Sequence, residues 1–162
     1  MARIQSKLDE LGLILPEPIS LPPGVRLPFA KVNVRGDRAF VSGHGPQNPD
    51  GSLSTPFGKV GADVTVEEGY ELARKTALSM LSSLKRELGD LDRITGWGRV
   101  FGMVNSAPGF TEQPAVINGF SDVIHNVFGP NVGRHARSAV GMAELPFGDG
   151  IAVEIEAEVL IE

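Results

Sequence analysis

The chain has 162 residues, 41% of them hydrophobic and 22% charged, which suits one globular domain rather than a disordered segment. Its formal charge of −5 argues against an electrostatic grip on nucleic acid or an anionic membrane. The absence of cysteine removes disulfides, thiolate nucleophiles and thiolate metal sites. No run approaches ~20 consecutive apolar residues. The N-terminus has acids where a signal peptide carries its apolar stretch, so a cytoplasmic location is expected.

Residues 2–12 place Ile4, Leu8 and Leu11 at helical spacing, which predicts a short amphipathic helix. Pro16, Pro18, Pro22, Pro23 and Pro28 then make an extended connector, so residues 1–28 form an N-terminal extension to a core over 29–162. Ala30 to Val34 and Arg38 to Gly43 read as strands around the hairpin signal Arg35-Gly36-Asp37. Residues 44–61, with four glycines and three prolines, predict a long loop, and long loops in compact domains are often functional.

Thr65-Val66-Glu67-Glu68 has capping-box spacing and opens the clearest helix. Val66, Tyr70, Ala73, Ala77, Leu81, Leu84 and Leu88 recur every three or four residues, and Gly89 supplies a left-handed stop. Ile94 to Val104 predicts a strand in which Trp97, Arg99, Phe101 and Met103 alternate. A second helix starts near Thr111 to Pro114, buries Val116, Ile117, Phe120, Val123, Ile124 and Val127, and stops at Gly129-Pro130. His135 to Leu145 and Ile151 to Glu162 complete the strands. This order, without repeats or a domain boundary, predicts a single α+β domain over 1–162, with two main helices packed on one face of a mixed sheet.

In the last strand Val153, Ile155, Ala157, Val159 and Ile161 point one way, and Glu154, Glu156, Glu158 and Glu162 point the other. The carboxylates lie at ~7 Å spacing, twice the rise per residue of a strand. Alternation of this kind is read as a solvated face, as a polar interface between subunits, or as a site.

His135-Ala-Arg137-Ser138-Ala139-Val140, then Glu144-Leu145-Pro146, then Val153-Glu154-Ile155-Glu156-Ala157 resembles the C-terminal signature of the RidA family, also called YjgF or endoribonuclease L-PSP. Phe40-Val41-Ser42-Gly43 and Ile117-Asn118-Gly119-Phe120 resemble two upstream motifs, so the similarity spans about 27–162. The N-terminal helix and the 44–61 loop resemble the longer, uncharacterised subgroup. The resemblance implies a chorismate-mutase-like fold and a homotrimer whose sheets face inward, with sites in the clefts between subunits.

It also implies roles. Arg137 matches the carboxylate-binding arginine, whose planar fork holds a carboxylate by two parallel hydrogen bonds; taken alone, a strand arginine is more often a surface or ion-pair residue. Glu154 matches the glutamate that directs the hydrolytic water, the competing reading being an interface ion pair. Ser42, Gly43 and Ala139 would offer backbone groups to a ligand, and Asn118 would orient a loop or ligand through its amide. Phe29 stands thirteen residues before Ser42, where the deaminases carry a tyrosine, so a hydroxyl is lost. His44 follows Gly43 where glutamine is common and is the nearest replacement in the motif, although an isolated loop histidine is usually simply exposed.

His44, His125 and His135 show no metal-binding spacing, and no phosphate-binding or nucleophile-elbow motif occurs. Neither metal nor cofactor is expected. With 6% aromatic residues and net negative charge, RNA cleavage is disfavoured. The expected function is cofactor-independent hydrolysis of 2-imino or 2-enamino acids to 2-oxo acids and ammonia. The alternative is a non-catalytic trimer that binds small carboxylates. Glu154 favours the first, Phe29 the second. Expected partners are 2-imino and 2-oxo carboxylates and further copies of the chain, without nucleic acid or membrane.

Overall fold

The computed structural model describes residues 2–162. Helix α1 spans Arg3–Glu10 and the hairpin strands are β1 (Val32–Arg35) and β2 (Arg38–His44). Helix α2 (Val66–Leu88), β3 (Ile94–Asn105), α3 (Gln113–Val132), β4 (Ala136–Met142) and β5 (Val153–Ile161) follow. The strands form one sheet in the order β1-β2-β5-β3-β4, antiparallel except for the β3–β4 pair. The α+β expectation with two long helices on one face holds.

Local chemistry explains the helices. The Thr65 hydroxyl accepts the Glu68 amide at 3.1 Å and the Glu68 carboxylate accepts the Thr65 amide at 3.3 Å, closing the capping box of α2. Gly89 ends it with φ near 80°. Helix α3 is regular until Gly129, where φ 80° and ψ 177° break the spiral before Pro130, as the sequence predicts. Helix α1 is anchored from far along the chain, because the Asp92 carboxylate accepts the amides of Arg3 and Ile4 at 2.7 Å each.

Helices α2 and α3 cover the face that carries Val153, Ile155, Val159 and Ile161, all buried. Their approach depends on Gly119. A Cβ built there would stand 2.0 Å from the Tyr70 carbonyl oxygen of α2, so the helices touch through backbone. Gly102 lets α3 settle on the sheet in the same way, since a Cβ there would meet Ile117 at 2.7 Å.

Two details differ from simple alternation. Trp97 is buried against Phe120 and Phe128, whereas Arg99, Phe101 and Met103 occupy the opposite face. The register shift between Trp97 and Arg99 inserts Gly98 as an extra residue, and this bulge turns the indole into the core. Glu162, expected on the carboxylate face, lies beyond the end of β5, and the exposed Leu160 stands on that face beside the acids. The 44–61 segment has no helix or long strand, yet bridges Gln47–Leu53 and Val60–Ser106 fix it and Gln47, Ser54 and Val60 are buried.

Gly119→Ala should destabilise the fold by about 1–3 kcal/mol, because the added methyl forces a backbone contact apart. Urea unfolding curves of the two proteins measure it, and an unchanged midpoint would show that the interface yields without cost.

Candidate functional site

The hairpin β1–β2 positions the first part of the site. Between the pairs Val41–Ala157 and His44–Ile155 the register of β2 shifts, so Ser42 and Gly43 together oppose one residue of β5, Glu156. Ser42 holds the end of the proline-rich connector: its amide donates to the Lys31 carbonyl at 2.9 Å and its hydroxyl donates to the Ala30 carbonyl at 2.7 Å. The Glu154 carboxylate lies over Gly43, where a Cβ would stand 2.9 Å from Oε2. Any larger residue at 43 would displace the acid.

A cavity of about 280 Å³ opens at this bulge, lined among others by Phe29, Lys31, Gly43, His44, Phe147 and Glu154. That is at the lower edge of the ~300–1,000 Å³ typical of ligand pockets, a size for a small metabolite. A larger open groove of about 540 Å³ runs between α1 and α2. Its cations are already engaged, Lys85 with Gln5 and Arg86 with Ser82 and Ser83.

Glu154 is half-buried, and desolvation followed by repulsion from Glu156 raises its pKa, with Lys31 opposing the rise. Lys31 has its pKa lowered by burial, which attraction to Glu154 counteracts. The ion pairs among the described residues, Lys7–Glu10, Arg38–Glu158 and Lys59–Glu144, use neither group. Lys31 is the site residue that sequence reasoning missed. A lysine at the start of a strand carries no distinguishing signal until folding brings it to the acid.

His44 ends β2 rather than standing exposed in a loop. It is 4% exposed, with Nδ1 2.6 Å from the Ser42 carbonyl and Nε2 2.8 Å from the Ser83 hydroxyl. Burial, with smaller effects from neighbouring charges, pulls its pKa down to about 4. The ring stays neutral at pH 7, and both nitrogens are engaged within the protein. Phe29 is 53% exposed at the cavity rim and brings no polar group.

Arg137, Ala139 and Asn118 stand elsewhere in the protomer. Arg137 pairs in register with the buried Val100, so it faces the helices, on the opposite side of the sheet from Glu154. Its Nη1 donates to the Asn118 amide oxygen at 2.8 Å and to the Ser121 hydroxyl at 3.1 Å. Ala139 packs against the core. The structure thus gathers Phe29, Gly43, His44 and Glu154 at one cavity, with Ser42 in the adjoining bulge, and groups Arg137 of the edge strand β4 with Asn118 of α3. No cluster of three or more potential metal ligands occurs among the described residues.

The His44 pKa has a consequence for stability. Unfolding returns the ring to its ordinary value of about 6.5, so the unfolded chain binds a proton first as pH falls. Stability present above pH 6.5 is lost progressively down to about pH 4. Denaturation midpoints measured across that window should fall less steeply in His44→Gln than in the parent. Parallel slopes would show that His44 is not the acid-sensitive group.

The YjgF/chorismate mutase-like family model, described as "putative endoribonuclease", matches residues 5–159. Protein TCP17 of Trypanosoma cruzi is 44% identical over 155 residues, covering 96% of this chain and 92% of its own. The crystal structure of Atu1372, a protein of unknown function from Agrobacterium tumefaciens, is 39% identical with a TM-score of 0.85, over 98% of this chain and 92% of its own. A Shewanella oneidensis structure described as a "putative endoribonuclease" is 30% identical with a TM-score of 0.84, over 98% of this chain and 99% of its own. With the family model matched over residues 5–159 and relatives 30–44% identical over 96–98% of the chain, this protein belongs to the YjgF/chorismate mutase-like family.

Proposed function

We propose that the protein hydrolyses reactive 2-imino or 2-enamino acids to 2-oxo acids and ammonia. The observation that carries this reading is Glu154, a half-buried carboxylate with raised pKa, held over Gly43 at the mouth of a small cavity. In the proposed reaction Glu154 takes a proton from water as the water oxygen bonds to the imine carbon. With the imine nitrogen protonated at the outset, the carbinolamine so formed gains that proton on nitrogen. The C–N bond then breaks as the hydroxyl proton passes to the freed Glu154 carboxylate and the carbonyl forms; the departing ammonia carries that proton away as ammonium. Because imines are intrinsically electrophilic, positioning water and substrate supplies the acceleration without a covalent enzyme intermediate.

The carboxylate anchor is proposed to be Arg137 of a neighbouring copy, since a protomer's own guanidinium faces the other side of its sheet. This arrangement requires a homotrimer with inward-facing sheets. The carboxylate face carries the exposed Phe40, Val140 and Leu160 beside Arg99, Glu156 and Glu158, an apolar and charged mixture suited to a subunit interface. The endoribonuclease description attached to relatives finds little support in an acidic chain with one tryptophan and one tyrosine. A second reading, non-catalytic binding of small carboxylates in the same cavity, is favoured by Phe29, which supplies no hydroxyl.

Glu154→Gln should lower the rate of imine decay about 10²–10⁴-fold, followed at the imine absorbance with enzymatically generated 2-iminopropionate. Parent activity should fall as pH drops through the raised Glu154 pKa, and an equal rate in the variant would remove the acid from the mechanism. Wild type inactive on every amino-acid-derived imine would favour the binding reading.

Arg137→Lys should keep the fold but lose most affinity for 2-oxobutyrate in calorimetry, because a point charge replaces a bidentate fork. Light scattering should give three times the 17.2 kDa protomer mass. Trimers refolded from a mixture of Arg137→Lys and Glu154→Gln chains should regain activity above either variant alone. Absence of rescue in confirmed hybrids would mean that the two residues do not meet across subunits.

A further inference from the structure

The cavity beside Glu154 contains a cation of its own. Lys31 is half-buried at the start of the hairpin, where its carbonyl is tied to Ser42, and it lines the same cavity as the acid without being ion-paired to it. An ammonium and a carboxylate that both face one small space, each partly stripped of water, match a ligand that carries a negative group and a protonated nitrogen. Apart from His44 and Gln47, which hydrogen-bond within the protein, the rest of the wall is apolar: the connector contributes Leu21 and Leu27, and the loop before β5 contributes Phe147 and Ile151. Phe147 adopts φ 71°, a backbone state that aromatic residues rarely take, and its ring remains half exposed at the cavity.

We propose that Lys31 is a substrate-binding residue that holds the carboxylate of a 2-imino acid, and that the connector-walled cavity selects apolar side chains. This assignment rests on the deaminase reading and deepens it. Lys31 is the protomer's own cation for the carboxylate, acting beside the Arg137 that a neighbouring copy would bring. The imine nitrogen then lies toward Glu154, and the side chain enters the space between Leu21, Leu27, Phe147 and Ile151. A second carboxylate on the ligand would be forced among these apolar groups and beside Glu154, so dicarboxylates are rejected. The burial that lowers the Lys31 pKa also leaves its charge poorly hydrated, which strengthens its attraction for an incoming carboxylate.

The test is calorimetry on the intact, assembled protein with 4-methyl-2-oxopentanoate, 2-oxobutyrate and 2-oxoglutarate, for wild type, Lys31→Met and Lys31→Arg. Wild type should bind 4-methyl-2-oxopentanoate at least tenfold more tightly than 2-oxoglutarate. Lys31→Met should lose at least tenfold in affinity for both monocarboxylates, and raise KM for the matching imines more than it lowers kcat. Lys31→Arg should restore most of the binding, which a purely structural role for the lysine stem would not predict. Affinity unchanged in Lys31→Met, or 2-oxoglutarate bound as tightly as the apolar acid, overturns the assignment. The ligand ranking in wild type decides the side-chain claim even if Lys31→Met does not fold. Turnover retained in wild type with no loss in Lys31→Met sinks this inference and leaves the deaminase reading standing. Lys31-dependent binding without turnover of any imine sinks the deaminase reading instead, and failure of all three acids to bind overturns the assignment of Lys31.

Discussion

The register of β5 is the constraint on which the rest of the structure depends. This strand is paired on both sides, by β2 and β3, and its residues alternate between a buried apolar set and an outward set that is acidic except for Leu160. A slip of one residue would drive Glu154, Glu156 and Glu158 beneath the helices and expose Val153, Ile155 and Val159. Burying unpaired carboxylates costs far more than any local rearrangement recovers, so the register has a single solution. Once it is set, the helices have their seat and Glu154 has its position beside the bulge.

The bulge at Ser42-Gly43 converts that register into a site. An uninterrupted β2 would set a side chain against Glu154; the extra residue places glycine there and swings His44 inward to Ser83. The same hydroxyl of Ser83 accepts a hydrogen bond from Arg86 at 3.1 Å, which links the histidine to a helix cation. A neutral histidine braces the strand end from behind, and the acid and Lys31 face the cavity in front. The charged and uncharged members are thus sorted by burial rather than by residue type.

The division of the predicted residues over two faces bears on what kind of protein this is. A protomer displays Glu154 on one side of its sheet and Arg137, tied to Asn118 and Ser121, on the other at an edge strand. An edge strand is where a neighbouring copy can bring its own groups to a foreign sheet face. On the proposed reading, the separation makes assembly and ligand binding parts of one physical problem, and the apolar residues exposed on the carboxylate face belong to the same problem.

Sequence by itself determined everything that rests on local periodicity and local hydrogen bonds. The capping box at Thr65, the stop at Gly89, the break at Gly129-Pro130 and the alternation of β5 were legible because each depends on residues a few positions apart. Gly119 was visible as part of a motif, although its reason, backbone contact with Tyr70, was not. Tertiary structure alone decided the inward turn of Trp97, the burial of His44, the arrival of Lys31 at Glu154 and the opposite placement of Arg137. Each of these depends on a bulge or on strand neighbours up to more than a hundred residues away, as Lys31 and Glu154 are. A one-residue insertion in a ladder reverses every side chain beyond it while leaving composition and local spacing untouched, so its effect is set only when the partner strand is in place.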